Sequence, residues 1–420
     1  MRSWEVSVNI NRHGQLGVGS NVIAKAFDDL KTMHAMREAW QALADADPEA
    51  NVFLSWEWMH RLFSEDPSTW CVFFVRDPAA LNGVSAILPL HHRFHWSKSK
   101  QLCQTRFEAA GRRGLSPLTG LLCDPAREET ALRALAQRIK RERWARLTLR
   151  FEPTGQRLHA LADHLNGKAY RISWPDYKTS NELVDQLRVP TVSLPTSFES
   201  YLQNSISKST RSKLRRFRRK YLETGAYRVE QTTPANFEAN VNIFKALWRL
   251  RWEGTMSKRR INDFLNRLDQ FLRRCQSMDV LFMPVLWRGD RPVGSLVRVV
   301  DLSRKSMFGI AAARRLDDEM PAIGLLLNAV AIEEAIRRGL STYELGHGTH
   351  GYKYQYGAAD RELHYLVIER RGQAATDVFN RRSICGAALF ARTCLADGQI
   401  SPAVKALEQI ETASVNFTHS

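Results

Sequence analysis

At 420 residues the chain is longer than one hydrophobic core usually supports, so two domains are expected. Apolar residues at 44% and charged residues at 25% are ordinary globular usage and exclude an intrinsically disordered chain. The formal charge of +17 is compatible with nucleic acid, acidic lipid, a phosphorylated cofactor or an anionic substrate as partner, and charge alone does not choose among them.

The first 20 residues have no apolar core followed by a small-residue cleavage site, so no secretory leader is expected. A spanning helix needs roughly 20 apolar residues. The nearest candidate, 384–396, is short and interrupted by Arg392. Six cysteines are scattered without a C-x-x-C pair, which argues against a zinc ribbon and a disulfide framework. The expectation is a cytoplasmic protein with reduced thiols and no transmembrane segment; peripheral membrane contact and oligomeric state stay open.

In chain order, 22–46 reads as largely helical and 51–63 as a second helix. Apolar runs at 71–75 and 84–90 flank a turn with Asn82 and Gly83, as in a hairpin, and 147–151 is a strand following a helix at 128–142. This mixed first lobe ends near residue 188. Ser197 is an N-cap for a helix that continues through the basic run to Gly225. That run places eight basic and no acidic residues in the 13 positions 208–220. Helices at 236–252 and 260–275 follow. The runs 279–287 and 292–301, joined by Arg-Gly-Asp-Arg, form a hairpin, with a third strand at 305–312. A helix closed by Gly339 and a strand at 340–345 complete the pattern. The two lobes have similar size and content, which suggests duplication, although no repeat is visible in the sequence.

The segment 321–357, P-x-x-G-L-L-L-x(3)-A-I-E-x-A-I-x-x-G-L-x-x-Y-E-L-G-H-G-x(3)-Y-K-Y-Q-Y-G, resembles the acetyltransferase domain of the CelD/BcsL cellulose-biosynthesis group and the corresponding part of the FemABX peptidoglycan aminoacyltransferases. In both, a helix ending in Gly and a strand with an acidic residue lead to a Tyr-Lys or Phe-Lys dipeptide, matched here by Gly339, Glu344, Tyr352 and Lys353. The Leu-Arg-Arg core of the basic helix, 214–216, resembles the CelD-type pattern too. The resemblance implies an α/β fold of mixed sheets with two GNAT-like lobes in tandem, spanning 1–188 and 189–372, and a C-terminal helical tail, 373–420. It implies acyl-CoA as co-substrate, no permanently bound cofactor, no metal, and a sugar or peptide acceptor in exopolysaccharide or envelope synthesis. Two alternatives remain: a tRNA-dependent aminoacyltransferase whose basic helix contacts the tRNA backbone, and a non-catalytic subunit of a polysaccharide assembly.

The chemistry can also be read from the residues. Acyl transfer builds negative charge on a carbonyl oxygen, so a fixed cation such as Lys353 beside Tyr352 can lower the barrier. Glu344 can take the acceptor's proton, or can serve as a structural partner of Lys353 or of a backbone N–H. Histidine is the side chain whose ordinary pKa lies near neutrality, so either His347 or His350 is a candidate base. His91, His92 and His95 fall on both faces of a strand and make no metal site. A standard Q/R-x-x-G-x-G/A phosphate loop is missing, leaving Arg314, Gly324 and Asn328 around the start of the 325–339 helix for the donor. Leu214, Phe217 and Tyr221 form one apolar stripe, so Arg211, Arg215, Arg216 and Arg219 point outward, either solvated or on an anion. Trp248 and Trp252 line a substrate cleft or pack in the core.

Overall fold

The computed structural model describes residues 22–415; the N-terminal stretch read above for a leader lies outside the described residues. Two mixed sheets hold the chain together. The first runs, in spatial order, Ile23–Phe27, Trp70–Arg76, Val84–Ser97, Leu102–Ala109, Arg146–Glu152, His364–Arg370, Tyr170–Ser173. The second runs Arg228–Gln231, Pro284–Arg288, Arg291–Asp301, Ser306–Arg314, Thr342–Glu344, Arg188–Ser193, Ala359–Glu362.

The two orders are the same. In each, an antiparallel meander supplies the first four strands. The fifth is parallel to the fourth and so needs a crossover, provided by the helices Glu128–Arg141 and Ile323–Arg337. The sixth strand is exchanged between lobes. Arg188–Ser193, which follows the first lobe, pairs inside the second sheet, and His364–Arg370, which follows the second lobe, pairs inside the first. The expected likeness of the two lobes is therefore present as topology. The expected boundary at 372 takes in residues 364–370, which the hydrogen bonding assigns to the first sheet.

Two expected helices differ. Residues 23–27, expected to be helical, pair as an edge strand with Trp70–Arg76; the helix starts only after Asp29, whose carboxylate accepts the Thr32 N–H. The helix expected from Ser197 to Gly225 is broken. Ser197 caps Phe198–Asn204, then Ser207 caps a new helix, Lys208–Phe217, which ends in a π-helical turn, Arg218–Leu222. Leu214 and Phe217 are buried in the second lobe's core, and Tyr221 packs against it.

A continuous core joins the lobes: Phe53 meets Phe308 at 5.1 Å and Trp58 meets Phe271 at 5.5 Å. The C-terminal helices Ile384–Ala396 and Ile400–Val415 pack small residues, Ala387, Ala391, Ala403 and Ala406, near Phe94, Trp96 and Cys103 of the first sheet. Gly386 is required there, since a Cβ would lie 2.5 Å from that of Phe94. Among the described residues no helix is long and apolar enough to cross a membrane.

Candidate functional site

Strands Ser306–Arg314 and Thr342–Glu344 are in parallel register only from Ser306 to Phe308. Past that point the second strand turns away: Leu345 N donates to Pro190 O, across to the exchanged strand. Gly309 stands at the fork because a Cβ would lie 2.7 Å from Glu344 O. The fork opens into two adjoining chambers whose common wall includes Trp252, Asn328, His350 and Tyr352.

The first chamber, about 420 Å³, lies between the fork and the first lobe, which contributes Arg112, Leu115 and Pro117. Lys353, Tyr352 and His347 line it together, as do Trp248 and Trp252. Lys353 sits on the 3₁₀ turn Gly351–Tyr356 with only 3% of its surface exposed. Its Nζ donates to Gly346 O and His347 O, each at 2.6 Å. Burial, and secondarily Arg298, bring its pKa down to about 7. Protonated, the amine keeps one N–H for a developing oxyanion; neutral, it keeps a lone pair that can accept the acceptor's proton.

His347 rests against Phe151 of the first lobe with ring centroids 4.0 Å apart. Burial first, and then Arg112, lower its pKa to about 3, so the ring is neutral, and its Nε2 is buried without a partner. Glu344 does not line the chamber. Its buried carboxylate accepts from Arg361 Nη1 at 2.8 Å, so its structural partner is Arg361 rather than Lys353, and desolvation raises its pKa.

The second chamber, about 560 Å³, surrounds the start of the Ile323–Arg337 helix and gathers Arg314, Gly324 and Asn328, the three residues expected around the donor. That helix start has no side-chain cap, leaving its first N–H groups available. Lys213 and Arg251 also line the chamber. The other named cations of the basic helix lie elsewhere. Arg211 donates to Leu202 O and Gln203 O at the end of the preceding helix, Arg215 pairs with Glu199, Arg216 lies over the Phe217 ring, and Arg219 is exposed.

A buried arginine escaped the sequence reading. Arg298, from the middle of Arg291–Asp301, is 4% exposed and lines the first chamber. Its Nε donates to Tyr343 Oη at 2.8 Å and its Nη2 to Asn328 Oδ1 at 2.8 Å; Tyr343 Oη donates to the same Oδ1 at 2.7 Å. Asn328 Nδ2 in turn donates to Gly324 O at 2.8 Å. The signal was an arginine within an otherwise apolar strand, L-V-R-V-V.

Residues 208–354 match the family described as an acetyltransferase (GNAT) domain. A comparison with curated protein sequences gives no match. Among solved structures the chain is similar to FemX, at 9% identity over 79% of this chain and 95% of that one, with a TM-score of 0.55. It is also similar to a conserved protein of unknown function from Bacteroides thetaiotaomicron VPI-5482, at 11% identity over 80% and 97% with a TM-score of 0.48. A third is L-PGS from Bacillus licheniformis, at 11% identity over 81% and 94% with a TM-score of 0.45. The chain has a mixed α/β fold of two GNAT-like lobes in tandem, and the acetyltransferase-type segment falls on the second of them, around the fork.

Proposed function

We propose that the chain is an acyltransferase that moves an acyl group from acyl-CoA, held in the second chamber, to a hydroxyl or amine of an acceptor in the first. The observation that carries this reading is the uncapped start of the Ile323–Arg337 helix inside a chamber lined by Lys213, Arg251 and Arg314. Backbone N–H groups at a helix start, with basic side chains around them, suit the phosphates of a coenzyme A. The thioester would then pass Asn328 and Tyr352, which line both chambers, to reach the fork. There the acceptor oxygen or nitrogen attacks the thioester carbonyl, the carbon–sulfur bond breaks, and the acceptor's proton ends on the leaving thiolate, with Lys353 Nζ in position to relay it.

The acceptor class, a sugar or peptide precursor of exopolysaccharide or envelope, follows from the CelD/BcsL and FemABX resemblance. A reducing compartment agrees with six free cysteines. The tRNA-dependent alternative rests on the basic helix, and Arg211, Arg215 and Arg218 of that segment are already engaged by protein carbonyls and carboxylates. Calorimetric titration with acetyl-, succinyl- and longer acyl-CoA is expected to show saturable binding that weakens in Arg314→Gln. Absence of heat and of any thermal shift at millimolar acyl-CoA sinks the reading.

A further inference from the structure

Among the described residues three arginines are fully buried: Arg157, Arg274 and Arg298. Two are neutralised within the protein. Arg157 meets Asp47 through Nη1 at 2.8 Å and Nη2 at 3.1 Å, and Glu128 through Nε at 3.0 Å. Arg274 holds Glu65 with two guanidinium nitrogens, Nε and Nη2. Arg298 has only neutral partners: Tyr343, Asn328 and the carbonyls of Val297 and Ala311. It is also the one of the three that lines a chamber.

Two more cations reach the same chamber. Lys353 is held by two carbonyls, and Arg112 by Ser116 O at 3.0 Å while its guanidinium lies 4.3 Å over the Phe151 ring. None of the three forms an ion pair with a carboxylate among the described residues. Asp360 acts on Lys353, and Glu108 on Arg112, only through space. Burying an unneutralised charge is expensive, and Arg298 opposes the charge of Lys353 within the same cavity. Three of the wall's four buried atoms without a partner have the same sense; the fourth, His347 Nε2, is a neutral ring nitrogen. Arg112 Nε, Trp248 Nε1 and Trp252 Nε1 are buried without a partner, and all three are donors that cannot accept. A ligand that completes this wall brings acceptors and negative charge at the arginines.

We infer that the acceptor entering the first chamber carries a carboxylate or phosphate group, received between Arg112 of the first lobe and Arg298 of the second. This rests on the acyltransferase reading for the word acceptor, and on the chamber alone for the oxyanion. The aromatic side, Trp248, Trp252 and Phe264, takes the ligand's less polar body, and the chamber's size suits a small molecule or the end of a larger one. Because Arg112 and Arg298 come from different lobes, bound oxyanion also ties the lobes together.

The test uses the full chain and inorganic phosphate or acetate, titrated at constant ionic strength against chloride and read by thermal unfolding and calorimetry. Wild type should show a saturable stabilisation. Loss of one charge-assisted contact should weaken the apparent affinity of Arg112→Gln about tenfold or more, with Arg112→Lys keeping part of it. Arg298→Gln should lose as much, and Arg112→Gln, outside the fully buried set, covers the case in which Arg298→Gln fails to fold. The inference is overturned by a wild-type protein with no saturable response, or by Arg112→Gln and Arg298→Gln that keep wild-type affinity. Acetyl-CoA titrated into the same samples separates the two readings. Lost acetyl-CoA binding with an intact phosphate response removes the donor assignment and leaves the oxyanion site; the reverse removes this inference alone.

Discussion

The two lobes repeat one sheet order and use its fork in opposite ways. In the second, the strands part after Phe308 and Glu344, and the gap is an open chamber. In the first, the parallel pair Leu102–Ala109 and Arg146–Glu152 is in register from Arg106 to Glu108, and its gap is filled by the chain's own segment 115–121. Thr119 closes it, with its N–H on Phe151 O at 3.2 Å and its Oγ1 on Arg150 O at 2.8 Å and Glu152 Oε1 at 3.1 Å. Gly120 is closely packed there, as a Cβ would lie 2.9 Å from Leu54 Cδ1 and 3.2 Å from Glu152 Oε2. The same segment presents Leu115 and Pro117 to the second lobe's chamber. The shared strand order thus leaves one fork open and makes the other part of its neighbour's wall.

The largest expected difference between the lobes is catalytic. Lys353→Ala should lower kcat by about 10² to 10³, the usual effect of losing one oxyanion donor. Lys353→Arg should recover part of it, and Thr119→Val in the closed fork should leave kcat near wild type while lowering stability by about 1–3 kcal/mol, the range for an unsatisfied buried partner. Steady-state kinetics with urea unfolding on the three variants checks this. Near-wild-type turnover in Lys353→Ala returns Lys353 to a purely structural role.

The forks should also differ in the sign of their pH dependence. Burial raises the Glu152 pKa from 4.5 to about 7, so between those values the folded state holds a proton that the unfolded state has lost, and stability falls as pH rises. Burial lowers Lys353 from 10.5 to about 7, so above 7 the unfolded state holds the extra proton, and stability rises toward 10.5. Unfolding free energies measured across pH should lose the falling limb in Glu152→Gln and the rising limb in Lys353→Met. Unchanged limbs in both variants break the assignment.

The smallest effects belong to the outward cations. Arg219→Gln should change stability by less than about 0.5 kcal/mol, as exposed substitutions do, and should leave acyl-CoA affinity at the wild-type value, whereas Lys213→Gln, inside the second chamber, weakens it. Equal losses in both calorimetric titrations would extend the donor site along the whole basic helix.

What the sequence determined by itself was local. The helix closed by Gly339, whose φ is 72°, the turn at Gly289 with φ 55°, and the stripe of Leu214, Phe217 and Tyr221 follow from periodicity and backbone freedom within a few residues. Gly324, Tyr352 and Lys353 were legible because motif spacing is kept along one stretch of chain, and Arg314 and Asn328 because they flank the start of the same helix. Only the tertiary structure decided the rest. Residues 23–27 became a strand because Ala24 lies opposite Val75, and no pattern within five residues can announce that partner. The exchange of Arg188–Ser193 for His364–Arg370 depends on sheet edges formed far away in sequence, with Thr191 opposite Glu344 and His364 opposite Glu152. Glu344 is held by Arg361, from the strand Ala359–Glu362 two places along the sheet, a partner that no local pattern announces. Arg298 and Arg112 could not be paired from sequence at all, since whether a buried cation has a carboxylate beside it depends on which strands and loops from both lobes meet there.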